Sequence, residues 1–254
     1  MDEYSSRIKA LKTTSEQVST FVLSHFFNQN FTLSLKKDGS EVTTVDIEAE
    51  NLAKELLLGA FPEDSFLGEE HAEVVGSSEF RWVVDPIDGT ASFAKGVPLF
   101  GTLVGLEHNG ETIAGAAHLP AMHESITAVK GQGAIHNSQH AALVSSIASI
   151  DEAMVCTTSF DYYKQTNSTS LYETLVDSVG STRGWSDCYG FMLLCTGRID
   201  AVVEPLLKPW DIIPWLPIIK EAGGMYSPIA EGGIASNAKI HDSLYHALHD
   251  NITN

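Results

Sequence analysis

Basic residues are scarce: 15 Lys and Arg stand against 33 Asp and Glu, for a formal net charge of -18. Such a mean field repels polyanions, so nonspecific binding to nucleic acid or to an anionic membrane is not expected. Only three cysteines occur, Cys156, Cys188 and Cys195, with no CxxC pair and no even set for a disulfide framework. A reducing compartment is the default for that pattern. The first residues, MDEYSSRIKALKTT, lack the apolar core of a signal peptide. No run approaches the ~18 apolar residues of a membrane span. A cytoplasmic, soluble protein is expected.

What remains is ample for a core: 254 residues, 43% of them hydrophobic. Apolar residues near helical spacing (Ile8, Leu11, Val18, Phe21, Val22, Phe26) predict a helix over 5–27. A second helix is predicted over 43–61, ended by Gly59 and Pro62. Between them 35–42 reads as a turn or short hairpin on an Asp-Gly signal. A strand over 80–85 follows. Residues 100–137 then alternate strand-like runs with turns at Asn109-Gly110 and Gly131-Gln132-Gly133, the pattern of an antiparallel meander. The second half changes period: strands over 153–159 and 199–205, helices over 170–180, 190–197 and 210–224. This succession predicts layered α/β architecture with a boundary near residue 145, dividing the chain into 1–145 and 146–254.

Residues 81–93, RWVVDPIDGTASF, hold the chemical question. Asp85 and Asp88 follow an apolar strand with no basic neighbour between them. Pro86 opposes continuation of the strand, Gly89 permits a tight turn, and Thr90 can begin a helix whose N–H groups attract an anion. Capping of a helix and a turn is the bland alternative for both aspartates. Further carboxylates shift the balance: Glu69 and Glu70 after a short apolar run, Asp46 ending VTTVD, Glu204, and Asp211 at a helix start. Acids gathered without matched bases repel one another and need an ion. Hard oxygen ligands favour Mg²⁺ over zinc.

The segments GEE, DPIDGTASF, VTTVD and PWDIIP…EAGG resemble, in order and separation, the signatures of the inositol monophosphatase family of Mg²⁺-dependent, lithium-sensitive phosphatases. The resemblance spans nearly the whole chain and implies the layered αβαβα fold. It implies a first metal held by Glu69, Asp85 and the carbonyl of Ile87, and a second held by Asp85, Asp88 and Asp211. A third, weaker ion would sit near Glu69. Most ligands then fall in 1–145, with Asp211 and the substrate-facing residues in 146–254. Asp46 and Thr90 match the pair that orients and helps deprotonate the attacking water. Gly89 and Thr90 N–H groups would hold a phosphate oxygen. Lys36 matches a lysine that offsets charge near the metals, with Lys37 as the alternative in register. A homodimer is also implied.

Family members act on inositol phosphates, fructose bisphosphate, nucleotide bisphosphates or histidinol phosphate. The segment STRGWSDCYGFMLL resembles the Arg-Gly-x-x-Asp pattern of the histidinol-phosphate phosphatases, where inositol phosphatases usually read like Gly-Ser-Ala-Ala. Pro217 inside the last helix also resembles that subgroup, and in an ordinary helix interior it would cost about 3 kcal/mol. Histidinol phosphate carries an amine and an imidazole, so Asp187 and Glu204 are candidate acceptors for those donors. The lesser reading of Asp187 is a helix cap, and Glu204 is shared with inositol phosphatases. Arg183 could contact phosphate or pair with an acid. Trp185 could line the pocket or pack in the core, with the core as the default. Ala91 and Ser92 replace larger or amide residues. Ile212, Ile213 and Pro214 replace small ones and are expected to crowd the packing behind Asp211. The expectation is a Mg²⁺-dependent histidinol-phosphatase, with inositol-1-phosphate or a broader range of phosphate esters as alternative substrates. A catalytically silent, metal-binding relative is the rival of another class, and the retained Asp46 and Thr90 argue against it.

Overall fold

The computed structural model describes residues 3–37 and 39–249. Helices α1 (Glu3–Asn28) and α2 (Thr44–Ala60) flank a two-stranded hairpin of β1 (Leu33–Leu35) and β2 (Glu41–Thr43). The expected hairpin is present, although Asp38 of its turn lies outside the described residues. A seven-stranded sheet follows in strict sequence order: β3 (Ser65–Gly68), β4 (Phe80–Asp88), β5 (Gly101–His108), β6 (Glu111–Leu119), β7 (Glu124–Val129), β8 (Ala134–His136) and β9 (His140–Ala141). Only the β3–β4 pair is parallel. The β5–β6 turn has Asn109 and Gly110 both at positive φ, 52° and 77°, which Asn-Gly tolerates at little cost. A five-residue helix, α3 (Thr90–Ala94), interrupts the sheet between β4 and β5.

The second sheet is mixed. Strand β10 (Met154–Thr157) pairs in parallel with β11 (Ser181–Arg183) and with β12 (Ala201–Glu204); β14 (Gly232–Asn237) is antiparallel to both β12 and β13 (Gly224–Ile229). Helices α4 (Phe160–Gln165), α5 (Thr169–Ser178), α6 (Asp187–Cys195), α7 (Pro209–Ile212), α8 (Trp215–Glu221) and α9 (His241–His249) complete the chain. Among the described residues, no helix is long and apolar enough to cross a membrane.

Three apolar cores define the layers. In the first, Leu11, Val18, Ala49 and Leu57 of α1 and α2 pack on Trp82, Val84, Val104 and Ala116 of the first sheet. The second fills the space between the sheets with α6 and α8, joining Leu103 and Ala117 to Met192, Trp215, Ile218 and Ala235. The third puts Leu171, Leu175, Leu244 and Leu248 against Val155, Val203 and Ile234. Adjacent residues divide between cores: Val155 and Cys156 face opposite ways, as do Val202 and Val203. Both sheets are therefore covered on both faces, giving near-continuous apolar strands. The order of layers is αβαβα.

Two expected elements differ. The strand expected to stop at Asp85 continues to Asp88, with a register shift between those residues. Asp85 Oδ1 accepts from the Ile87 N–H at 3.0 Å, and the Pro86 carbonyl accepts from Thr102 Oγ1 at 2.9 Å. Pro86 thus occupies a bulge, where a strand needs no ladder donor. The helix expected over 210–224 breaks into α7 and α8 at Ile213-Pro214. Pro217 consequently lies in the first turn of α8, where an N–H has no intrahelical acceptor, and its expected cost disappears. The expected crowding is relieved across the interface: Gly105 and Gly115, paired on β5 and β6, make room for Pro214. A Cβ at Gly115 would lie 1.9 Å from the Pro214 carbonyl oxygen.

Candidate active site

The parallel β3–β4 pair builds the first corner. Gly68 is in register with Val84, so Glu69 and Asp85 leave neighbouring strand ends side by side. The bulge after Asp85 then carries Asp88 back to pair with Gly101. From the other half, α7 delivers Asp211, whose Oδ2 accepts from the Lys208 N–H at 2.8 Å. One carboxylate oxygen from each of Asp85, Asp88 and Asp211 lies within 4.8 Å of the others.

No lysine or arginine forms an ion pair with these three among the described residues. Burial, then the charges of Glu69, Asp88 and Asp211, hold the Asp85 carboxyl well above the usual range. Burial and the charges of Asp187 and Asp211 do the same for Asp88. Asp211 is pushed up to about 7, chiefly by burial, against the opposing Lys208 N–H. Converging hard oxygens that lack a counter-charge fit a hard metal cation.

Lys36 reaches the rim of this cluster. Its Nζ is 2.5 Å from Glu69 Oε1 and 2.8 Å from Glu70 Oε1, whereas Lys37 is exposed. Burial opposes the Lys36 charge, but the bonds to both glutamates outweigh it and raise its pKa. Burial also pushes Glu70 up to about 7.

Asp46 sits in the first turn of α2, fully buried. Its Oδ2 accepts from the Thr43 N–H and hydroxyl, closing a capping box, which leaves Oδ1 facing Thr90 Oγ1 at 2.9 Å. Thr90 Oγ1 is also 2.9 Å from the Ile87 carbonyl. Gly89 precedes α3 with φ 86° and ψ 39°. A Cβ there would lie 2.8 Å from the Leu99 carbonyl oxygen and 3.5 Å from Asp187 Oδ2, so glycine is required and Asp187 lies beside the turn.

Asp187 is the first residue of α6, not its cap; Ser186 holds the cap position. Its φ of 55° is unusual outside glycine, and burial pushes its carboxyl up to about 6. Glu204, at the end of β12, is buried with Oε1 unpartnered. Burial, then Asp187, Asp88 and Asp211, raise its pKa well above the usual range. Arg183 is exposed and donates to the neighbouring Thr182 carbonyl at 2.7 Å; it makes no ion pair among the described residues. Trp185, expected in the core, is 39% exposed. The sequence reading passed over Glu50 and Tyr162. Glu50 had a visible signal: a carboxylate one helical turn after Asp46, on a face otherwise apolar. Tyr162, on α4, has its pKa raised by burial and then by the charges of Asp187 and Glu204.

The fold and this acidic centre define a class. A profile of the inositol monophosphatase family matches residues 3–253. The chain belongs to the inositol monophosphatase family. It is 36% identical over 210 residues to a histidinol-phosphatase of Chlorobaculum parvum, covering 83% of this chain and 81% of the relative. It is 34% identical over 234 residues to an inositol-1-monophosphatase of Mesorhizobium japonicum, covering 87% of each. Among solved structures, the extragenic suppressor protein suhB from Bartonella henselae superposes with a TM-score of 0.87 at 26% identity, over 96% of this chain and 98% of that one.

Proposed function

We propose that this chain is a Mg²⁺-dependent phosphomonoesterase that hydrolyses L-histidinol phosphate to L-histidinol and phosphate, in histidine biosynthesis. The observation that carries the reading is the surplus of carboxylate: Asp187 and Glu204 lie beside the Asp85–Asp88–Asp211 cluster, with Glu204 Oε1 unpartnered. A substrate amine or imidazole supplies the donors that such acceptors need, and charge-assisted bonds discriminate well. Histidinol-phosphatases among the relatives support the same substrate.

In this reading Glu69, Asp85 and the Ile87 carbonyl would hold one Mg²⁺, and Asp85, Asp88 and Asp211 would hold another, with a weaker third near Glu69. Bound there, the ions supply Lewis-acid stabilisation of the phosphoryl charge and a water acidified toward neutral pH. Asp46 keeps the Thr90 hydroxyl directed, so that Thr90 can accept from the attacking water and align it. Gly89 and Thr90 present main-chain N–H groups to a phosphate oxygen. Asp187 and Glu204 orient the organic half of the ester, and Lys36 balances Glu69 and Glu70. Arg183, exposed at the end of β11, would contact the phosphate in this reading. A cytoplasmic homodimer completes the reading; light scattering at twice the monomer mass tests the assembly.

Inositol-1-phosphate is the second reading, favoured by the 34% identity to an inositol-1-monophosphatase. The deciding experiment measures Mg²⁺-dependent phosphate release from histidinol phosphate, inositol-1-phosphate, fructose-1,6-bisphosphate and adenosine 3′,5′-bisphosphate in parallel. The expected result is kcat/KM led by histidinol phosphate, with Asp187→Ala costing that substrate far more than the others. A lead for inositol-1-phosphate, or equal losses in Asp187→Ala, overturns the substrate assignment. Absence of any phosphate release favours the catalytically silent alternative.

A further inference from the structure

Glu50 is fully buried on α2, one turn beyond Asp46. Its carboxylate points into the loop that follows β3. Oε2 accepts from the Glu70 N–H at 2.6 Å. Oε1 accepts from the His71 N–H at 3.0 Å and lies 2.8 Å from His71 Nδ1. Two of these donors are backbone amides, which cannot reverse polarity, so both oxygens must act as acceptors. They belong to the two residues directly after Glu69.

Gly68 explains how so close an approach is possible. A Cβ at that position would lie 2.3 to 2.5 Å from the Glu50 carboxylate atoms. Glycine immediately before Glu69 therefore admits the acid beneath the loop. The result is a loop held from inside by a buried carboxylate, while Glu69 meets Lys36 at 2.5 Å.

We propose that Glu50 is a positioning residue: by gripping the Glu70 and His71 amides it fixes the backbone after Glu69 and so presents the Glu69 carboxylate to the divalent cation. Asp46 and Glu50 lie on the same buried face of α2. One helix therefore holds both the Thr90 hydroxyl and the Glu69 loop in place. This inference rests on the metal-binding role proposed for Glu69.

The test uses Mn²⁺ as the probe, titrated into the full-length protein and followed by electron paramagnetic resonance, with amide hydrogen exchange measured in parallel. Glu50→Gln keeps size and shape but sets an NH₂ against a backbone N–H. It is expected to weaken Mn²⁺ binding by about 10- to 100-fold, the usual loss when a partner behind a metal ligand is removed. Exchange at the Glu70 and His71 amides should accelerate, while the amides of the distant β13–β14 pair should not. Gly68→Ala displaces the same carboxylate without altering its chemistry and is expected to give the same two changes, which keeps the question open to answer if Glu50→Gln folds poorly. Wild-type Mn²⁺ affinity in both variants, or weakened affinity without faster exchange at those two amides, overturns the proposal. Glu69→Gln separates the premise: unchanged Mn²⁺ affinity there removes Glu69 from the metal site, whatever Glu50 does.

Discussion

Thr90 Oγ1 lies 2.9 Å from Asp46 Oδ1, although 44 residues separate them in the chain. The other oxygen of Asp46 is engaged by Thr43, so the carboxylate cannot swing away from Thr90 without breaking its capping box. Thr90→Ala is expected to lower kcat by about 10²- to 10⁴-fold, the range for loss of acid–base assistance, with little change in KM. Thr90→Ser should keep most of the activity. Steady-state kinetics decide, and a Thr90→Ala enzyme within threefold of wild type would remove Thr90 from the chemistry.

Asp85 is buried among Glu69, Asp88 and Asp211, and its replacement should separate stability from function. In chelator, Asp85→Asn removes a carboxyl whose ionisation burial and the neighbouring acids oppose in the fold, and Tm is expected to rise. In Mg²⁺ the order should invert. Ion binding stabilises wild type by about 2.7 kcal/mol at a concentration 100 times Kd, and the variant loses most of that gain. Thermal unfolding of both proteins with and without Mg²⁺ tests the pair of signs. A Tm for wild type that ignores Mg²⁺ contradicts the metal assignment.

His118, on β6, is largely buried and has Ser15 Oγ 3.2 Å from Nε2. Burial pushes its pKa down to about 4 from an ordinary 6.5. The unfolded chain therefore takes up this proton first as pH falls. The contribution to stability is complete above about pH 6.5 and is lost progressively toward pH 4, amounting to about 3 kcal/mol at most. His118→Asn should flatten urea-unfolding stability across that window relative to wild type. Parallel pH profiles for the two proteins would contradict this account.

Arg7 and Asp64 tie α1 to the loop before β3. Arg7 Nε and Nη2 donate to the two Asp64 oxygens at 2.9 and 2.8 Å, and Trp82 Nε1 and Ser78 Oγ donate to the same carboxylate. The guanidinium also lies 4.0 Å from the Phe80 ring centroid and 4.6 Å from that of Phe61. Breaking one side of a buried pair strands the other, so Arg7→Met is expected to cost about 3–5 kcal/mol. Denaturant unfolding measures it; a loss under ~1 kcal/mol would mean that the pair is compensated by solvent.

Long elements were legible before the fold was known. The helical spacing of Leu11, Val18, Val22 and Phe26 predicted α1, and Asn109-Gly110 predicted the β5–β6 turn, because both signals are local. Short elements were not. Helix α4 has six residues and β11 three, too few for a period to register, and α9, β13 and β14 were passed over entirely. Strand β4 was cut short at Pro86 because the rule against proline in a strand is local, while the bulge that accommodates it depends on Thr102 of the neighbouring strand.

The sequence by itself determined the residue types of the centre. The two acids of DPIDGT, with no base between them and further acids in GEE and PWD, point to a cation through charge. It did not determine which of Lys36 and Lys37 meets the acids, since both suit the register and only one chain direction reaches Glu69. Nor did it mark Trp185 as exposed, or show which amides Glu50 meets. Those were decided by tertiary structure, for one physical reason: each depends on which surface an element turns toward partners far along the chain. Parallel pairing of β3 with β4 sets Glu69 beside Asp85, the glycine pair Gly105–Gly115 admits the break that aims Asp211, and Gly68 admits Glu50 beneath the loop. Charge pattern is local and readable in sequence; the close approach of separate backbones exists only once the chain has packed.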